Sequence, residues 1–342
     1  MESKVRNSNI ELLRILCMFF IILHHSFCHS GINYNLNNLN YNILFGLQFL
    51  AKVANNIFIL ITGYYMLDKE INKKSIKKII FKTFFYSYSI LLIYILVTRK
   101  IDFNIIKDSI IPLTINNNWF VISYILLYMS IPIINILISN LSKKQYDRTL
   151  LGLIICLSIL PTIGVLDQFF SIYVWFICLY MIGAYIKKYR FNETLKKDNN
   201  NLLVTSCIGF YAFIALMKIF NLELGNFGEM NSFIISIMSI TTFVLFINKQ
   251  QWCNSAVNYI SSSVLGVYLV HDNFIVRKHI WKLFKINEYI THKYFFLYEI
   301  VIVLVIFGFC LLIDKLLEKL LFKHLFNKTN TNHKKEKEYI KV

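Results

Sequence analysis

The sequence predicts an all-α, polytopic integral membrane protein with about ten transmembrane helices and both termini in the cytoplasm. Three observations carry that expectation. Hydrophobic residues make up 56% of the 342-residue chain, and the mean hydropathy of +0.54 excludes an ordinary soluble domain. Apolar runs of about 20 residues, the length that crosses a bilayer as a helix, recur from end to end. Lys and Arg gather in the short segments between those runs, as topology signals do.

The run-length criterion gives spans at 10–30, 43–66, 79–97, 119–139, 149–166, 169–186, 202–221, 232–248, 256–276 and 294–314. The fifth contains Pro161 and Gly164, and the ninth opens on polar serines, so these two are the least regular. The chain starts basic, with Lys4 and Arg6, but the first apolar run carries Arg14 and lacks a small-x-small cleavage site. It therefore reads as an uncleaved first span. With the N-terminus inside, the cytoplasmic segments hold 25 Lys and Arg and the outer loops 8, which puts both termini in the cytoplasm. The loop from Arg277 to Lys293 is the exception, basic on the predicted outer side. Either a span is miscounted there or the loop meets an anionic headgroup or glycan. The second reading is favoured, because losing a span spoils the bias elsewhere.

The formal charge of +17 lies in these short loops and not in a basic domain, so no nucleic acid is expected. Attraction to the anionic surface of a bilayer is. Residues 1–326 read as one transmembrane domain, 327–342 as a solvated Lys/Asn-rich cytoplasmic tail, and 31–42 as an uncharged polar outer loop. The seven cysteines are odd in number and show no CxxC spacing. They read as small core residues, with no disulfide scaffold and no metal site expected. The absence of a Walker-type or dinucleotide glycine pattern leaves ATP-driven transport by this chain unsupported.

Chemistry concentrates in the first apolar run, LLRILCMFFIILHHSF, which holds Arg14, His24 and His25. A charged or titratable group costs about 2.5–3.5 kcal/mol at the centre of a spanning helix, so three of them imply a use. At 100° per residue, Arg14 and His25 fall on one face, ~20° apart and ~16 Å along the axis. His24 is turned away by roughly 80° and reads as a bystander. Glu11 precedes Arg14 at i, i+3 and offers it an ion pair. The plainer reading is an arginine that snorkels to the headgroups and a histidine that bonds a neighbouring helix.

The second span ends NIFILITGYYMLDKEINKKSIKK. Gly63 there lets another backbone or a ligand approach closely. Lys69, Lys73, Lys74, Lys77 and Lys78 form a cationic patch suited to phosphates, although topology charges explain them equally well. Lys52, in the outer part of that span, is expected to snorkel outwards. Trp119 suits an interface and Pro132 should kink the fourth span. In the ninth span, YISSSVLGVYLVHDN, His271 precedes Asp272, and a carboxylate beside a histidine can keep it basic. The depth of this pair matches that of His25; a polar helix end is the competing reading. Glu299 is a further candidate for a buried acid.

Four stretches together resemble the membrane acyltransferase 3 family. Arg14 followed by His25 resembles its R-x10-H signature, and ITGYYML after Phe58 its second-helix motif, with Thr62 where Ser is usual. WFVISYILLYMSIPIIN and LGVYLVHDN resemble patterns in later helices of bacterial polysaccharide acetyltransferases. The likeness runs from about Asn9 to Lys319. It implies an O-acetyltransferase of a bacterial cytoplasmic membrane, moving acetyl or another acyl group from cytoplasmic acyl-CoA to a sugar hydroxyl. The acceptor would be a surface polysaccharide or a lipid-linked precursor. By this resemblance His25 matches the family's essential histidine and Arg14 its basic residue. Acetyl-CoA is then a co-substrate and no permanently bound cofactor is expected. No esterase domain follows the last span, so the two-domain relay type is not expected.

The candidate site is therefore His25, His271 and Asp272 for catalysis, with Arg14, Glu11, Gly63, Lys73 and Lys74 toward the coenzyme. His25 could act as general base or as acyl-carrying nucleophile. Two rivals use the same residues differently: a transporter of a small anion or glycan precursor, and an accessory component of glycan machinery.

Overall fold

The computed structural model describes residues 6–32, 38–166, 172–220 and 225–322, with backbone only at 115, 116, 218, 321 and 322. The tail expected at 327–342 and residues 33–37 of the expected outer loop lie outside the described residues. The described residues are mostly helical, with no strand among them. In chain order the helices are α1 (Ser8–His29), α2 (Leu39–Leu47), α3 (Leu50–Met66), α4 (Lys73–Thr98), α5 (Phe103–Ile110) and α6 (Ile115–Asn140). Next come α7 (Lys143–Ile154), α8 (Leu160–Thr162), α9 (Ile172–Lys188), α10 (Phe191–Leu195), α11 (Asn199–Ile219) and α12 (Phe233–Ile247). The series closes with α13 (Ser255–Ser261), α14 (Val264–His271), α15 (Phe274–Phe284), α16 (Ile286–Tyr289) and α17 (Phe295–Leu317).

Seven stretches of the described residues are long and apolar enough to cross a membrane: Ser8–His29, Leu39–Met66, Lys73–Thr98, Asn117–Asn140, Asn199–Met217, Gly225–Ile247 and Phe295–Leu320. The other three expected spans are also helical where described, and two of them are interrupted for a local reason. At 149–166 the helix widens into a π turn at Ile155–Ile159 ahead of Pro161, which has no N–H to donate. The Leu157 carbonyl, four residues before that proline, accepts from Asn231 Nδ2 at 2.8 Å instead. At 169–186 the described part is α9, Ile172–Lys188, packed against α3 and α6, and positions 169–171 lie outside the described residues. At 256–276 the run divides into α13 and α14 at Ser262 and Ser263.

Two further expectations shift. Pro132 is carried inside α6, and the departure from helical φ/ψ is at Asn118 (φ −140°, ψ 57°). The basic 277–293 stretch is not an open loop: it forms α15 and α16, which bury Trp281 and Ile286 and leave Lys278, Lys282 and Lys285 exposed.

Two seams set the architecture. At the first, α3 crosses α9 with glycine on both sides. A Cβ on Gly63 would collide with the Tyr180 carbonyl, and one on Gly183 with the Leu60 carbonyl. Only glycine lets the two backbones touch, which is how helices pack closely in a membrane. At the second, α1 runs alongside α13 and α14. The Ser8 N–H donates to the Trp252 carbonyl at 2.9 Å, the Asn254 N–H donates to Ser8 Oγ at 2.7 Å, and Trp252 Nε1 donates to Asn9 Oδ1 at 2.7 Å. Ser8 and Asn254 lie 246 positions apart in sequence, and so do His25 and His271. Two parallel helices pinned at their starts thus climb through the same rise, ~25 Å at 1.5 Å per residue, and deliver the two histidines side by side.

Behind α14, Gly266 leaves room for Asp314 of α17. Lys82 Nζ lies 2.7 Å from Asp314 Oδ1, and the Tyr86 hydroxyl donates to the same oxygen at 2.6 Å. Lys82 is 3% exposed, so this lysine, counted above among topology charges, is a buried packing partner. Removing one member of such a pair costs roughly 3–5 kcal/mol.

Candidate active site

His25 and His271 meet at the far end of the α1–α14 seam. His25 Nδ1 lies 3.0 Å from His271 Nε2 and 3.5 Å from Asp272 Oδ1. The other nitrogen of His271, Nδ1, is 2.7 Å from the Val267 carbonyl one turn back. A carbonyl only accepts, so Nδ1 of His271 carries the proton and donates it. A neutral imidazole has one N–H, which leaves His271 Nε2 as an acceptor. His25 Nδ1 must then be the donor across the 3.0 Å contact. The lone pair of neutral His25 is thereby left on Nε2. A helix backbone carbonyl thus fixes the tautomer of one histidine and, through it, that of the next.

Asp272 sits beside the pair. Its Oδ1 faces His25 Nδ1 and, at 3.5 Å, Arg277 NH1. If His25 Nε2 takes a proton, the imidazolium still donates from Nδ1, and Asp272 Oδ1 lies 3.5 Å from that atom. The base, its orienter and a third group that holds the orienter follow the logic of activated catalytic sites. Arg277 also accounts for one cation of the 277–293 stretch: it is turned inwards onto Asp272.

A cavity of about 430 Å³ approaches this cluster along α1. Arg6, Arg14 and Lys78 supply its cations, and Met18, Ile21, Phe58 and Phe120 its apolar wall. Ile21, one helical turn before His25, and Tyr268, one turn before Asp272, both line it. Glu11 lies 3.6 Å from Arg14 NH1, as the i, i+3 spacing implies, and its Oε2 also accepts from Ser261 Oγ. Thr62, the variant position of the second-helix motif, lines the cavity and lies 3.3 Å from the Tyr124 hydroxyl. A second cavity of about 260 Å³ is lined by His24, Lys52, Trp119, Trp175, Glu229 and Asn231. Asn55 lines both.

The structure thus brings His25, His271 and Asp272 together and places Arg14 and Glu11 in one cavity. The other three candidates lie elsewhere. Gly63 is spent on the α3–α9 backbone contact and does not line the cavity. Lys73 and Lys74 are exposed at the start of α4, and it is Lys78, about one turn on, that faces the cavity and pairs with Glu318 at 3.5 Å. His24 and Lys52, expected to be bystander and snorkel, both line the second cavity. Lys52 Nζ meets Glu229 Oε2 there at 3.3 Å. Asn55 was the residue sequence reasoning missed most plainly. The pair Asn55–Asn56 inside an apolar run is a costly pattern in its own right. Tyr124, Ser261 and Glu229 carry no such signal, because nothing local relates them to α1.

Among known proteins, the family model described as an acyltransferase domain, of the acyltransferase 3 type, matches residues 7–315. No curated protein and no solved structure matches the chain.

Proposed function

The chain belongs to the acyltransferase 3 family, and on that premise we propose that it moves a short acyl group, acetyl in the simplest case, from acyl-CoA to a sugar hydroxyl. The acceptor is a surface polysaccharide or a lipid-linked precursor, and the setting is a bacterial cytoplasmic membrane. One observation carries the reading: the chain Val267 carbonyl–His271–His25, which leaves a lone pair at His25 Nε2 while Asp272 faces Nδ1 of the same ring.

A hydroxyl is a weak nucleophile until its proton is removed during attack, and imidazole is suited to that near neutral pH. The hydroxyl oxygen bonds to the thioester carbonyl carbon as its proton passes to His25 Nε2. The C–S bond then breaks, the ester is formed, and the coenzyme thiolate takes the proton back from the imidazolium. Arg6, Arg14 and Lys78 in the 430 Å³ cavity suit the phosphates of the coenzyme. The apolar wall between Met18 and Ile21 suits its pantetheine arm, which would point the thioester along α1 toward His25.

The test is purified protein in lipid nanodiscs with labelled acetyl-CoA and a glycan acceptor. Label should appear in the glycan as an ester, with one free thiol released per ester. Transport of label without ester formation would refute the reading. An acid-quenched sample should hold no label on protein histidine; trapped acyl-histidine would replace the general-base step by a covalent one.

A further inference from the structure

The second cavity has no part in the donor pathway, yet it abuts it. Successive residues of α6 divide between the two: Trp119 lines the second cavity and Phe120 the first. On α1, His24 lines the second cavity, Ile21 lines the first, and His25 belongs to the catalytic cluster. Asn55 is common to both walls. Two compartments that share a wall at Asn55, one of them reaching along α1 toward the catalytic cluster, are what a reaction between two different substrates requires.

The lining says what the second compartment would hold. Trp119 and Trp175 line it with indole rings, and Trp175 is locked by its Nε1 donating to Asn56 Oδ1 at 3.1 Å. One face of a pyranose ring is made of C–H groups and is buried well against indole, while its rim of hydroxyls needs groups that both donate and accept. Asn55 and Asn231 are amides of that kind. Asn231 Nδ2 is already committed to the Leu157 carbonyl at 2.8 Å, which leaves its Oδ1 for a ligand hydroxyl. The two charges present, Lys52 and Glu229, are paired with each other at 3.3 Å, so an anionic ligand would have to compete with Glu229. At about 260 Å³ the space lies just below the ~300–1,000 Å³ of typical ligand pockets and suits one ring.

We propose that this cavity is the acceptor subsite and that it takes a single uncharged sugar ring, stacked on Trp119 and held at its rim by Asn55 and Asn231. The assignment rests on the acyl-transfer reading. It also moves the acceptor away from the basic 277–293 stretch and from the anionic ligand that stretch suggested.

The test uses the full chain in lipid nanodiscs, labelled acetyl-CoA as donor, and methyl hexosides against methyl hexuronides as probe acceptors. The wild type should favour the neutral hexoside. Trp119→Leu should raise the hexoside KM about tenfold or more with the acetyl-CoA KM within about twofold, as loss of a stacking face does. Glu229→Gln unpairs Lys52, and should move the hexoside-to-hexuronide preference about tenfold toward the anion. Leu96→Ala, at an exposed position of α4, should change neither. The proposal is overturned if the wild type prefers the hexuronide, if Trp119→Leu raises both KM values alike, or if Glu229→Gln leaves the preference unmoved. Methyl hexoside binding read by tryptophan fluorescence needs no turnover. If acetyl-CoA is never consumed, the acyl-transfer reading falls, while quenching that Trp119→Leu abolishes would still support a sugar site. An absence of quenching in the wild type would overturn it.

Discussion

The two helix seams of this protein solve opposite problems. Where α3 meets α9, glycine faces backbone on both sides, and the contact closes backbone to backbone, with Trp175 Nε1 donating to Asn56 Oδ1 beside it. Where α1 meets α13 and α14, polar groups run the length of the contact, from Ser8 and Asn254 through Glu11 and Ser261 to His25 and His271. Buried polar groups without partners cost heavily in a membrane, so this second seam is held in register by its own hydrogen bonds. The first seam fixes where the helices are; the second fixes where the protons are.

That division predicts different failures. Gly63→Val, which drives a side chain into the Tyr180 carbonyl, should leave no folded protein, read as loss of a monodisperse peak in detergent. A folded but inactive variant would move Gly63 from packing to chemistry. His271→Phe keeps a ring but removes the 3.0 Å acceptor of His25 Nδ1 and leaves only Asp272 Oδ1, at 3.5 Å. It should lower kcat by roughly 10²-fold, within the usual range for general-base disruption, with both KM values little changed. His271→Gln, which can still accept, should recover part of the rate. Arg14→Gln is the mildest: it should raise the acyl-CoA KM about tenfold, as loss of one charge-assisted phosphate contact does, and leave kcat largely intact. An Arg14→Gln variant that lost kcat instead would put the arginine with the histidines.

The all-helical membrane fold was legible because run length and composition act locally. The phase of α1 was legible in part: it paired Arg14 with Glu11, which lie 3.6 Å apart, but gave no sign that His24 lines a cavity of its own. What the sequence could not supply was the partner of each polar residue across a seam. The equal depth of His25 and His271 could be read as coincidence until Ser8 and Asn254 pinned the two helices at a common start. Gly63 looked open to a ligand because nothing local reveals Gly183 opposite it. Lys73 and Lys74 looked equivalent to Lys78 because charge density carries no phase, whereas the helix turns only Lys78 to the cavity. The interrupted spans show the same limit, since Pro161 breaks a helix predictably but the rescue of the Leu157 carbonyl by Asn231 comes from 74 positions away.

The central claim, that His25 Nε2 takes the acceptor proton, is tested most directly by assaying His25→Ala and His24→Ala side by side with labelled acetyl-CoA and acceptor. His25→Ala should remain folded and lose roughly 10²–10⁴-fold in kcat, while His24→Ala should keep its kcat within about tenfold and show its defect in the acceptor KM. Near-normal transfer by His25→Ala, or equal loss of kcat in both variants, would contradict the account.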